Sequence, residues 1–419
     1  MKIFKLSKNT DLISLSKLLV LVFLFSLNSC AEKQTKSTKD LLAVVIDNDS
    51  KNKTIITGAN RTEKYLPLLK NKKVAVVANQ TSVIFKNFDE RYIHIVDSLI
   101  SLDVNIVKVF APEHGFRGKA DAGEHILDGV DTKTGLTIKS LHGKTRKPST
   151  EVLSDVDVVL FDIQDVGARF YTYISTMTYV MEACAENNIP VIILDRPNPN
   201  GHYIDGPTLK MEHKSFVGMH PIPLVYGMTM GEYAKMVNGE KWLKDGVQCD
   251  ITIIPLQDYT HQSEYSLPVR PSPNLPNDKS INIYPSLGFF EGTIINAGRG
   301  TEFQFQRYGA PFFPKSEFTY TPKPNFGSKT PKFNGELCYG VDLGKTPKMS
   351  KIDIKYIVDA YNKTPKDKEF FGKTFTIHAG TVKLREQIEA GMTPDEIHAT
   401  WQEDVEKFKK IREKYLMYE

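Results

Sequence analysis

The sequence predicts an α/β fold built on a parallel sheet with helices on both faces. Three observations carry this. Between residues 65 and 275, near-continuous apolar, β-branched runs alternate with segments of helical periodicity, the pattern of strands buried on two faces. Those runs end repeatedly in polar clusters. Beyond a proline-rich junction, Pro268-Val269-Arg270-Pro271-Ser272-Pro273-Asn274-Leu275-Pro276-Asn277, the rhythm changes to short strands and long loops, which marks a second, smaller α+β domain.

The first strand is Val74–Ala78. A helix follows over 88–102, where Ile93, Val96, Leu99 and Ile100 recur at helical spacing. The second strand is Val104–Phe110, the third Val156–Phe161, the fourth Val191–Leu194 and the fifth Ile251–Ile254. A helix from Tyr173 stops at Asn187-Asn188 and Pro190, and another from Met230 to Lys244 starts behind Thr229 as cap. Near the C-terminus, one helix spans Val382–Ala390 and is ended by Gly391. The last is capped by Thr393, opens on Pro394 and runs to about Tyr415. Trp401, Val405, Phe408 and Ile411 form its apolar stripe.

The chain of 419 residues begins with Lys2, Lys5 and Lys8, then a short apolar run, Leu18–Phe25, then Leu27-Asn28-Ser29-Cys30. This is the layout of a secretory signal, too short to span a membrane as a helix, and the cysteine after small residues fits a lipoprotein signal. Residues 1–29 are expected to be cleaved and Cys30 lipidated, which places the mature chain in the cell envelope on a lipid anchor. Residues 30–62, rich in Lys, Thr, Asp, Asn and Ser, read as a flexible tether. The parallel-sheet domain is expected over 63–277 and the C-terminal domain over 278–419. The formal charge is +4, and the signal holds four lysines against one aspartate, so the mature chain sits near neutrality and offers no electrostatic footprint for nucleic acid. Cys184, Cys249 and Cys338 are too few and too scattered for a disulfide framework or a metal knuckle, and the sequence leaves open a single bridge among them without choosing a pair. Oligomeric state is not legible.

In a parallel sheet every strand points the same way, so the polar clusters after the first four strands share one edge, the edge where ligands bind. They are Asn79-Gln80-Thr81-Ser82, then Pro112-Glu113-His114-Gly115, then Asp162-Ile163-Gln164-Asp165-Val166-Gly167-Ala168-Arg169, then Asp195-Arg196-Pro197-Asn198-Pro199-Asn200-Gly201. No nucleotide fingerprint occurs, neither G-x-G-x-x-G nor G-x-x-x-x-G-K-[ST], and no H-E-x-x-H or G-x-S-x-G. What remains is carboxylates (Glu113, Asp162, Asp165, Asp195, Glu302), guanidiniums (Arg117, Arg169, Arg196, Arg299) and amides (Asn79, Gln80, Gln164, Asn198, Asn200). Paired carboxylates among amides suit glycoside hydrolysis. Arginines suit a substrate that carries its own carboxylate. A divalent metal on Asp162, Asp165 and His114 fits the same composition, which does not separate the two readings.

The chain resembles the exo-β-N-acetylmuramidase (NamZ) family. The stretches that carry the likeness are Ala78–Ser82, Ala111-Pro112-Glu113-His114-Gly115-Phe116-Arg117-Gly118, Asp162–Tyr173, Asp195–Gly201, Pro271–Pro276 and Gly288-Phe289-Phe290-Glu291-Gly292-Thr293, continuing to Gly298-Arg299-Gly300-Thr301-Glu302. Together they span about residues 65–419. The likeness implies a Rossmann-like domain without a dinucleotide, a smaller C-terminal domain and an active site in the cleft between them. It implies removal of N-acetylmuramic acid from the non-reducing ends of peptidoglycan saccharides, with no cofactor; the alternative on the same likeness is a non-catalytic muropeptide-binding envelope lipoprotein. Glu113 then stands as general acid, Glu302 or Asp162 as second carboxylate, and Arg169 or Arg299 as clamp for the lactyl group. His114 orients a neighbour, and Asn79, Arg117, Gln164, Asn198 and Asn200 contact substrate. The sequence departs from the family pattern at Ile294 and at Phe303-Gln304-Phe305.

Overall fold

Val74–Ala78 (β1) is buried at every position. In the computed structural model, which describes residues 54–85, 92–118, 124 and 127–419, this strand is the centre of a seven-stranded sheet. Val83–Phe85 (β2) and Tyr92–His94 (β3) form a separate hairpin. Ile106–Ala111 (β4), Gly129–Val130 (β5), Thr137–Ser140 (β6), Val158–Asp162 (β7), Val191–Leu194 (β8) and Ile251–Ile254 (β9) complete the main sheet in the order β5-β6-β4-β1-β7-β8-β9. All neighbours are parallel except β5 and β6. The six parallel strands β6-β4-β1-β7-β8-β9 follow the 3-2-1-4-5-6 order of doubly wound dinucleotide folds.

Alternation along the strands feeds two cores. Ala75, Val77, Val159, Phe161, Val191 and Ile193 pack with Ile174, Met177 and Met181 of helix Tyr173–Glu186 and Tyr233 of helix Met230–Gly239. Val74, Val76, Ala78, Val158, Leu160 and Ile192 pack with Tyr65 of helix Thr62–Leu69 and with Val96 and Leu99 of helix Ile95–Ser101. The first core continues into the C-terminal domain. There Arg307–Ala310 (β10), Thr319–Tyr320 (β11) and Cys338–Asp342 (β12) form an antiparallel sheet among short helices.

Several boundaries differ from expectation. The helix expected over 88–102 starts at Ile95, capped by the His94 side chain, because Tyr92-Ile93-His94 pairs with β2 instead. Helix Met230–Gly239 has the capping box of Thr229 and Glu232 but ends before Lys244. The final helix is two, Pro394–Ala399 and Gln402–Glu413, with buried Trp401 at the break donating its indole N–H to Asp205 at 2.8 Å. Residues 55–62, expected in the tether, belong to the fold: Ile56 bridges Gln257 and Gly58 N donates to Asp195 O. The signal, Cys30 and residues up to 53 lie outside the described residues. Cys184, Cys249 and Cys338 are buried free thiols.

In this strand order the crevice lies between β1 and β7, where the two halves of the sheet diverge. Here it is filled by the chain itself. Arg196 clamps Asp162 with Nε to Oδ1 at 2.6 Å and Nη2 to Oδ2 at 2.9 Å, and reaches Val83 O at 3.0 Å. Asp162 is fully buried and Arg196 3% exposed. The Ser82 hydroxyl donates to Asp162 O, and Gln164 N donates to Thr81 Oγ1 at 3.1 Å. Removing one partner of such a pair strands a buried charge. Arg196→Met is therefore expected to lower the unfolding free energy by about 3–5 kcal/mol in urea denaturation. A loss below about 1 kcal/mol, the range of exposed pairs, would contradict this role.

Candidate active site

The cavity that gathers the chemistry lies above that filled crevice, between the two domains. Its volume is about 430 Å³, toward the small end of ligand sites (about 300–1,000 Å³). Glu113, His114, Phe170, Tyr171 and Thr172 come from the first domain, Ser272, Asn274 and Leu275 from the junction, and Tyr284, Glu291, Asn296, Arg299, Phe305, Lys332 and His378 from the second.

Glu113 is delivered by the turn that leaves β4. Gly115 N closes it on Pro112 O at 3.0 Å, and His114 and Gly115 both take left-handed backbone, φ 70° and 79°. A non-glycine residue in that region stores strain that its surroundings must hold, and His114 is 3% exposed. The Glu113 carboxylate accepts from Thr172 Oγ1 at 2.7 Å. Its backbone carbonyl accepts from Tyr173 OH at 3.3 Å, and that hydroxyl accepts from Asn79 Nδ2 at 2.8 Å. Asn79 Oδ1 in turn takes Thr81 N at 2.8 Å. The loops after β1, β4 and β7 are thus tied to one another around Glu113.

Opposite stands Glu291, in the 3₁₀ turn Gly288–Gly292. Arg299 Nε donates to its Oε1 at 2.9 Å. Burial pushes the Glu291 carboxyl up, but Arg299, Lys332 and His378 together outweigh burial and hold it below the usual range, so it is ionised at neutral pH. Lys332 is spent on backbone, donating to Phe290 O, Thr293 O and Ile295 O at 2.9, 2.6 and 3.1 Å. Burial and Arg299 draw its pKa down, while Glu291 opposes them. Aromatic rings make the wall: Tyr284 meets Phe305 edge-on at 4.7 Å and Phe170 at 5.0 Å. The Arg299 guanidinium lies 5.4 Å from the Phe305 ring centroid, within cation–π range.

Of the residues expected here, Glu113, His114 and Arg299 line the cavity. The others do not, for identifiable reasons. Asp162 is consumed by Arg196, and Glu302 is exposed outside the cavity. Arg117 pairs with Asp97 and Asp131 at 3.1 and 2.7 Å. Arg169 is fully buried on four backbone carbonyls. Gln164 braces Asp165 O and Pro197 O. Asn198 holds Met228 O and Asn200 N, and Asn200 holds Val166 O and Ile281 O. Asn79 acts on Glu113 through Tyr173. Among the described residues no group of three or more His, Cys, Asp or Glu is arranged to hold a metal, so the set Asp162, Asp165 and His114 is not assembled. Sequence reasoning missed Glu291, Lys332, Tyr284 and His378. Only Glu291 had a signal, its place in Gly288-Phe289-Phe290-Glu291-Gly292.

Two family descriptions match the chain: "Exo-beta-N-acetylmuramidase NamZ, N-terminal" over residues 74–279 and "Exo-beta-N-acetylmuramidase NamZ, C-terminal" over 282–418. The chain belongs to the NamZ family. It is 39% identical over 398 residues to the peptidoglycan β-N-acetylmuramidase NamZ of Bacillus subtilis strain 168, covering 88% of this chain and 94% of that protein. Two crystal structures of DUF1343-family proteins from Bacteroides fragilis superpose on it. One has TM-score 0.80 and 45% identity and covers 88% of this chain and 99% of its own. The other has TM-score 0.75 and 30% identity and covers 87% and 99%.

Asp165 follows β7 and lies off the cavity wall. It is buried, accepts from Tyr226 OH and Gly167 N, and among the described residues leaves Oδ1 without a partner. Burial, opposed by these hydrogen bonds, pushes its carboxyl from 3.8 up to about 6. A raised carboxyl stabilises the fold below its unfolded pKa, and that contribution is lost as pH rises through the folded one. Asp165→Asn does not titrate. Its stability relative to the parent should rise between pH 4 and 6.5, by on the order of 3 kcal/mol, in paired denaturation curves. A flat difference would contradict the assignment.

Proposed function

We propose that the protein is an exo-acting glycoside hydrolase that releases N-acetylmuramic acid from the non-reducing ends of peptidoglycan-derived saccharides such as MurNAc-GlcNAc. The observation that carries the reading is the cavity's carboxylate pair. Glu113 and Glu291 are the two carboxylic side chains on its wall among the described residues, and one is held ionised by neighbouring cations. Glycosidic cleavage needs a proton for the leaving oxygen and a negative group for the anomeric centre. Glu113, hydrogen-bonded by Thr172, is the proton donor. The C1–O bond breaks as Glu113 protonates the departing oxygen, and water supplies the new C1 hydroxyl. Glu291 replaces Glu302 and Asp162 as the second carboxylate. Arg299 places a guanidinium where the sugar's lactyl carboxylate is received, and the Phe170, Tyr284 and Phe305 rings give the sugar an apolar wall.

We also propose that the mature chain is held in the envelope by lipid on Cys30. This rests on the basic start, the Leu18–Phe25 run and Leu27-Asn28-Ser29-Cys30. Cys30→Ser should move the protein from the membrane fraction to the soluble one; continued membrane association would argue for another anchor.

Release of N-acetylmuramic acid from MurNAc-GlcNAc is the direct assay. Glu113→Gln should fold and lose about 10²–10⁴-fold in kcat, the usual weight of a general acid. A folded variant with undiminished turnover removes Glu113 from the mechanism. Parent protein that binds the disaccharide without cleaving it is a binding protein instead.

A further inference from the structure

His378 is not explained by the roles above, nor is Arg169, and the two are connected. His378 is in the short helix Phe375–Ala379 and lines the cavity with Glu291 and Lys332. Its Nδ1 lies 2.9 Å from Thr374 O. A carbonyl can only accept, so Nδ1 carries the proton, and the neutral ring then presents Nε2 as an acceptor. Among the described residues nothing hydrogen-bonds Nε2. The ring packs beside Phe170, centroids 6.1 Å apart. Around it stand Glu291, which favours the protonated ring, and Lys332 and Arg299, which oppose it. Burial is the largest influence, and the balance holds its pKa below the ordinary value.

Arg169 lies directly behind. Its Nη1 donates to Pro207 O at 2.6 Å and Ile222 O at 2.9 Å. Its Nη2 donates to His378 O at 3.2 Å and Ala379 O at 2.8 Å. The residue is fully buried, and among the described residues it pairs with no carboxylate and leaves Nε without a partner. A buried charge without a counter-ion is costly. This one joins the first domain to the helix end that carries His378. Gly380, just past the end of that helix, is left-handed (φ 76°), and a Cβ there would lie 2.5 Å from Arg169 Nη2. The backbone after His378 is therefore pressed against the guanidinium with no room for a side chain.

We propose that His378 contacts the substrate, its Nε2 accepting a hydrogen bond from a hydroxyl of the sugar in the cavity, and that Arg169 is the positioning residue that fixes it there. The inference rests on the muramidase reading and adds a substrate contact to it. The cavity's remaining charges leave this role open: Glu291 is engaged by Arg299, and Lys332 by three carbonyls.

The test uses the full mature protein, with steady-state release from MurNAc-GlcNAc and calorimetric binding of free N-acetylmuramic acid, which needs no turnover. His378→Phe keeps the ring against Phe170 and removes the acceptor. It should weaken binding and raise KM about tenfold or more at unchanged Tm. His378→Gln, whose amide oxygen can stand near the Nε2 position, should recover part of the loss. Arg169→Lys should weaken binding in the parent but add little to His378→Phe, because both act through one contact. Should Arg169→Lys fail to fold, Gly380→Ala crowds the same guanidinium and takes its place in the cycle. His378→Phe that binds as tightly as a cleaving parent overturns the contact. Effects of Arg169→Lys and His378→Phe that add in full overturn the positioning. A parent that neither binds nor cleaves the sugar overturns the muramidase reading itself.

Discussion

The bidentate pair of Asp162 and Arg196 closes the crevice between β1 and β7, and the placement of the active site depends on it. In a 3-2-1-4-5-6 sheet that crevice is where a dinucleotide would lie. Here a fully buried carboxylate from the end of β7 and an arginine from the loop after β8 fill it, with Ser82 and Val83 completing the bonds. No glycine-rich phosphate loop follows β1, and the side chains that replace it face one another. The loops after β1, β7 and β8 become a rigid floor rather than a binding edge.

A floor of this kind lets the next layer be placed accurately. Asn79 fixes the Tyr173 hydroxyl, and that hydroxyl fixes the backbone carbonyl of Glu113. Tyr171 OH holds Pro271 O at 2.6 Å, and Gln80 reaches the same carbonyl at 3.1 Å, so the junction bearing Ser272 and Asn274 is set from below. The second domain is tied in by Arg169 to the end of helix Phe375–Ala379. It is also tied by the C-terminal residues, where Tyr418 OH donates to Asp195 Oδ2 and Met417 N to Glu232 Oε1. The carboxylates of Asp195 and Glu232 thereby retain the chain end, and they also cap helix Met230–Gly239 by accepting from Gly231 N and Thr229 N.

Much of the first domain was legible because its signals are local. β1, β4, β7, β8 and β9 are apolar runs, and the sharing of one edge by Glu113, Asp162 and Asn198 follows from parallel pairing alone. Edge position does not tell a bonded side chain from one facing a cavity. Asp162 and Arg196 lie in different loops, and their bond is a matter of tertiary distance. The same limit applies to Arg169, whose acceptors lie up to 210 residues away. β5 and β6 were missed because they are short and partly polar. Glu291, Lys332 and His378 meet only through packing of the second domain, where short strands and helices carry weak periodicity. Glu302, read as a motif glutamate, points to solvent a few residues from Arg299, which faces the cavity. A motif placed the segment without settling which of its residues does the work.

The claim on which the rest turns is that sugar is received at the domain junction and not at the edge of the sheet. The measurement that addresses it most directly is a crystal structure of the Glu113→Gln protein with N-acetylmuramic acid bound. The account predicts the sugar between Glu113 and Glu291, with its lactyl carboxylate toward Arg299 and the Asp162–Arg196 pair intact. Sugar bound over the loops after β1 and β7, with Arg196 drawn away from Asp162, would contradict it.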